Sequence, residues 1–158
     1  MAKAQPIPGI AADARFGDVA AAAVQTRTRE VFAHSAGVLD LDDPERVHAM
    51  RVATRRLRSA LEVFATCFPR KPHRRLLREV KALADALGQR RDPDVAVERL
   101  HALADAFNPA DRPGVAGLAA ELAATREQAN HELAAALEEV ERRELERRLL
   151  DLAAEARR

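Results

Sequence analysis

The stretch VHAMRVATRRLRSALEVF, residues 47–64, places His48, Arg51, Arg55, Arg56 and Arg58 in an otherwise apolar frame of helical spacing. With His48 as the zero of a helical wheel, Met50, Leu57, Leu61 and Phe64 fall between about 160° and 220°, and Val47 near 260°. These positions mark a core face. His48, Arg51, Arg55 and Arg58 share an arc of about 80° directly beside it, whereas Arg56 points elsewhere. A basic stripe that borders the core lines a groove between helices; a stripe opposite the core would face open solvent.

Working outward, Asp43 reads as the N-cap of this helix and Pro44 as its first residue, where the missing N–H costs nothing; the helix is expected to last until Phe68-Pro69. Upstream, residues 1–12, with Pro6, Pro8 and Gly9, read as a flexible leader to a single domain over 13–158. A first helix is expected over about 13–35, stopping near Gly37. Downstream, a helix after Pro72 carries Leu76, Val80, Leu83 and Leu87 on one face and ends at Gly88 as a C-cap. Asp92-Pro93 repeats the start signal and opens a further helix to about Phe107. After NPADRPG, residues 108–114, the remainder reads as one long C-terminal helix in which a kink is allowed. The expected fold is an all-α bundle of about five helices.

Composition supports this class. The 158 residues suffice for one domain with a real core but not for two, and with no Tyr, no Trp and five Phe there is little strand material. Cys67 has no intrachain partner for a disulfide, which suits a reducing cytosol. No signal-peptide core and no apolar run of membrane-spanning length occurs, so a cytoplasmic protein without a membrane partner is expected.

Net charge is only +1, yet residues 46–91 hold 13 Lys+Arg against three acids, leaving the rest of the chain at −9. Like charges at i, i+3 and i+4 destabilise a helix unless something neutralises them. Two neutralisers remain open from the residues alone: intramolecular carboxylates, for which the acidic C-terminal region is a source, and a bound polyanion. Arginine suits the second, because its planar fork grips phosphate oxygens in pairs. On the third helix Arg74, Arg78 and Lys81 lie roughly opposite the apolar positions, a solvated face unless it borders the same opening as the stripe. Arg90 and Arg91 bring two more cations beside the expected helix start at Asp92, whose dipole attracts anions.

Two motifs, VHAMRVATRRLRSALEVF and LGQRRDPDV (residues 87–95), resemble those of the conserved histidine α-helical domain, CHAD. The match covers His48, Arg51, Arg55, Arg56 and Arg58 in the first and Leu87, Gly88, Arg91, Asp92 and Val95 in the second. The resemblance implies a helical bundle that binds inorganic polyphosphate in a basic groove, with no catalytic activity, no catalytic residue, no cofactor and no metal. It also implies that His48, Arg51, Arg55 and Arg58, and less directly Arg74, Arg78, Lys81 and Arg91, contact phosphate oxygens, in a cytoplasmic protein that can associate with polyphosphate granules. Asp92 reads as a cap or as a partner for Arg91.

Family members usually carry two such histidine-arginine helices facing one cavity; here there is one, with no second HxxR segment after Pro113. A homodimer would rebuild the cavity, with the C-terminal helix or the surface around the stripe at the interface. Two other readings compete. A histidine phosphotransfer bundle needs an uncrowded imidazole, which three arginines on the same stripe disfavour. Sequence-independent binding to a nucleic-acid backbone lacks aromatic stacking platforms and any recognised DNA-binding motif. Glu127 and His131 form an i, i+4 pair without further metal-ligand spacing, and His34, His73 and His101 carry no pattern. No phosphate loop or nucleophile elbow is present.

Overall fold

A computed structural model describes residues 3–103 and 106–156, in which the chain forms five α-helices and no strand. They are α1 (Phe16–Ala33), α2 (Pro44–Val63), α3 (Arg70–Leu103), α4 (Arg112–Arg142) and α5 (Leu145–Glu155). Single 3-10 turns at Ala65–Cys67 and Pro109–Asp111 precede α3 and α4. In space α1 packs on α2 and α5, α2 on α3, and α3 on α4, with α5 also touching α3 and α4.

The core-face positions read from the wheel are the buried ones. Val47, Met50, Leu57 and Leu61 of α2 meet Leu76, Val80, Leu83 and Leu87 of α3, Val24 and Val31 of α1, Leu133 of α4 and Leu145, Leu149 and Leu152 of α5. Each fully buried Leu contributes about 2 kcal/mol of transfer free energy. Phe64 only packs against the edge of this cluster and meets Phe16 in a tilted ring pair with centroids 5.2 Å apart.

The α1–α2 connection turns at Gly37, whose φ of 71° would strain any residue with a Cβ. Helix α2 begins at Pro44 as expected, but the Asp43 carboxylate does not cap it; that carboxylate accepts a 2.9 Å hydrogen bond from Arg46 Nε. The helix closes at Val63, short of the expected Phe68-Pro69, because a 3-10 turn over Ala65–Cys67 intervenes, and Phe68 is extended, the conformation that the following Pro69 imposes.

Two larger differences from expectation follow. Gly88 is not a C-cap and Asp92 is not an N-cap: α3 runs unbroken through both, with Pro93 buried inside it. An interior proline deletes one backbone hydrogen bond, at a cost of about 3 kcal/mol. An ion pair straddles the defect, because Arg90 Nη1 donates to Asp94 Oδ2 at 2.7 Å, and α4 packs alongside. The last helix, in turn, is divided. Glu144 adopts a left-handed φ of 51° and ends α4, freeing α5 to turn its Leu145, Leu149 and Leu152 face onto the core. The expected extensions to Phe107 and to the C-terminus cross residues 104–105 and 157–158, outside the described set.

Candidate functional site

Helices α2 and α3 form an antiparallel hairpin. The ring of His73 sits with Nε2 2.8 Å from the Leu61 carbonyl, Lys81 reaches Glu62, and Arg51 lies against Gly88, so α3 climbs as α2 descends. His73 is buried and stacks on Phe68 at 5.8 Å. The imidazole that carried no pattern in the sequence is thus a peg at the base of the hairpin.

The stripe of α2 lies along this seam. His48, Arg51 and Arg58 are half-buried and Arg55 is exposed, as positions beside a core face should be. Arg51 crosses to α3, where its Nε lies 3.8 Å from the place a Cβ on Gly88 would occupy. A methyl group there would touch the guanidinium only at ordinary contact distance.

On α3, Arg74 and Arg78 are exposed and Lys81 is half-buried. Together with Arg70, Lys71 and Leu77 they line a hollow of about 630 Å³. Arg70 and Lys71 were not singled out from the sequence, although they continue the Arg74–Arg78 row by one turn. The basic faces of α2 and α3 meet at Glu62: its Oε1 lies 3.1 Å from Arg58 Nε and 3.1 Å from Lys81 Nζ. Hydrogen bonds from Arg58 and then Lys81 hold the Glu62 carboxyl below the ordinary carboxylate range. From Arg70 to Gly88 the basic track spans about 27 Å at 1.5 Å per residue.

Among the described residues, His48, Arg51, Arg55, Arg70, Lys71, Arg74 and Arg78 have no hydrogen-bond or ion-pair partner. The acidic C-terminal region does not supply one. Its carboxylates serve its own arginines: Glu139 pairs with Arg142 and Arg143, Glu144 with Arg147, and Asp151 with Arg147. The traffic between α3 and α5 runs through Glu79, which accepts from both Nη atoms of Arg148 at 2.8 and 2.9 Å and lies 3.4 Å from Arg75. Partial burial raises the Glu79 carboxyl, but Arg148 and then Arg75 outweigh it and leave it below the ordinary range.

Arg90 and Arg91 sit elsewhere. Arg90 is fully buried, with Nε on Asn130 Oδ1 at 2.9 Å and Nη1 on Asp94. Arg91 is buried with Asp94 at 3.8 Å and Glu98 at 3.3 Å, and Arg126 of α4 approaches Asp94 Oδ1 at 3.6 Å. Asn130 in turn donates to the Leu39 carbonyl, tying α4 to the α1–α2 loop. Asp92 is exposed and is not the partner of Arg91. The hub is Asp94, which the spacing Arg90–Asp94, i to i+4, signals in the sequence.

No group of three or more His, Cys, Asp or Glu side chains suited to a metal occurs among the described residues, and none of their helices is long and apolar enough to cross a membrane. No curated protein and no solved structure matches the chain. The family described as CHAD domain matches residues 22–158, nearly its whole length.

Proposed function

The chain belongs to the CHAD family, and we propose that its α2–α3 groove binds inorganic polyphosphate or a similar linear polyanion without catalysing a reaction. The family is associated with polyphosphate binding. The observation that carries the reading is the concentration of basic side chains without partners, His48, Arg51, Arg55, Arg74 and Arg78, along one seam, while every arginine from Arg126 to Arg148 is paired. A row of donors interrupted by one carboxylate, Glu62, suits a ligand made only of acceptor oxygens.

Arg58 and Lys81 complete the contact set, and Arg70 and Lys71 extend it. Arg91, buried against Asp94 and Glu98, stands apart from these open contacts. A track of about 27 Å fits an extended chain rather than one phosphate. A homodimer supplies the facing wall that a second HxxR helix provides in two-repeat members, in a cytoplasmic protein able to associate with polyphosphate granules.

The test is isothermal titration of long-chain polyphosphate into the protein at low and moderate salt, beside orthophosphate and the Arg51→Ala/Arg55→Ala variant. Tight binding that falls steeply with salt and is lost in the variant is expected, because each neutralised phosphate releases counterions. A ratio of two chains per bound polymer segment would support the dimer. No heat of binding at low salt would sink the reading.

A further inference from the structure

Among the described residues, one carboxylate is in contact with the groove's cations. Glu62 shares a single oxygen between Arg58 of its own helix and Lys81 of the facing one, on the seam the ligand would follow. We infer that Glu62 is a built-in competitor: it occupies Arg58 and Lys81 until a polyanion displaces it, and it thereby sets the groove against single phosphates and short anions. The inference rests on the proposed function and adds a residue that determines specificity.

Three features support displacement. First, the Glu62 side chain is 40% exposed, so it can swing to solvent without opening the core. Second, its carboxyl is held ionised by Arg58 and Lys81, so an anion must push it off; protonation will not remove it at ordinary pH. Third, exposed ion pairs are individually weak, so the contacts can be exchanged at small cost.

Tethering decides which anions succeed. A carboxylate fixed to α2 is present at high effective concentration beside its two cations, and a lone phosphate meets it one to one. A long chain anchored on Arg51, Arg55, Arg74 and Arg78 has an effective concentration of its own and prevails. The six groove arginines and lysines without a partner thus provide the anchoring, and Glu62 supplies the length threshold.

The experiment is titration calorimetry of orthophosphate, tripolyphosphate and long-chain polyphosphate into wild type, Glu62→Gln, Glu62→Ala and Glu138→Gln, across a salt series. Glu138 is exposed on α4, and its substitution changes net charge equally away from the groove. Both Glu62 variants should bind tripolyphosphate about three- to tenfold more tightly and long chains by a smaller factor. Their salt dependence should steepen by about one unit, because Arg58 and Lys81 then carry mobile counterions to release. Glu138→Gln should reproduce neither effect.

Weaker binding in the Glu62 variants would overturn the inference and make Glu62 a positioning residue for Arg58 and Lys81. Unchanged binding, or an equal gain in Glu138→Gln, would also overturn it. If no ligand binds any of these proteins at low salt, the functional reading itself falls, an outcome distinct from wild-type binding that Glu62 does not modulate.

Discussion

The α3–α4 contact and the α2–α3 groove are both built on arginine, at opposite edges of the same long helix. In the contact, Arg90 and Arg91 are buried and share Asp94 with Arg126, and Asn130 takes a further donor. In the groove, Arg51, Arg55, Arg74 and Arg78 are partly or fully exposed and meet no carboxylate. The difference is set by what stands one turn further along. Arg90 has Asp94 at i+4, and Arg58 and Arg75 have Glu62 and Glu79, whereas Arg51 is followed by Arg55 and Arg74 by Arg78. Rows of like charges with no acid one turn along are costly to the helix unless something else neutralises them.

The largest effect should come from the paired side. Asp94→Ala leaves Arg90, Arg91 and Arg126 crowded around no buried carboxylate and removes the clamp across Pro93; a loss of about 3–5 kcal/mol is expected by denaturant unfolding. The melting temperature should fall by on the order of 10 °C. A loss below about 1 kcal/mol would mean that the cluster is not what holds α3 to α4.

Next in size, Arg51→Ala/Arg55→Ala should weaken polyphosphate binding about 10- to 100-fold, roughly 1.4–2.7 kcal/mol. Stability should change by less than about 0.5 kcal/mol, since neither side chain has a partner to lose. Equal losses of binding and stability would erase the contrast between the two regions.

Glu79→Gln, which breaks the fork with Arg148, should cost about 1–3 kcal/mol at neutral pH. The folded-state carboxyl lies below its ordinary value, so this contribution is fully present above about pH 4.3, the ordinary Glu value, and is lost as pH falls through the folded-state value. Thermal unfolding of both proteins from pH 7 downwards should therefore show a constant gap that narrows only in acid. A gap already closing at pH 6 would contradict it.

The smallest effect sharpens the geometry. Gly88→Ala puts a methyl group at ordinary contact distance from Arg51 and fills an interior helix position, so a gain of about 0.5–1 kcal/mol is expected, with polyphosphate affinity held within about twofold. Were Gly88 a helix end, alanine would destabilise instead.

The stripe was legible because helical periodicity alone places His48, Arg51, Arg55 and Arg58 beside Met50, Leu57 and Leu61, and burial follows that wheel. The cluster around Asp94 was less so. Asp92-Pro93 has the same letters whether it starts a helix or sits within one, and the choice rests on Arg90 finding Asn130, 40 residues away. The division of α4 from α5 had no glycine to announce it, since Glu144 takes the left-handed turn itself.

By itself, then, the sequence determined the helical class, the core face of α2, the basic stripe and the likeness to the CHAD family, because these depend on local periodicity and on residue types at short spacing. Only the tertiary structure decided that α3 is continuous, that Arg91 is buried while Arg74 and Arg78 are open, and that Glu62 joins two helices at one oxygen. Those outcomes depend on which side chains separate helices bring within about 4 Å of one another, and no spacing along a single chain encodes that distance.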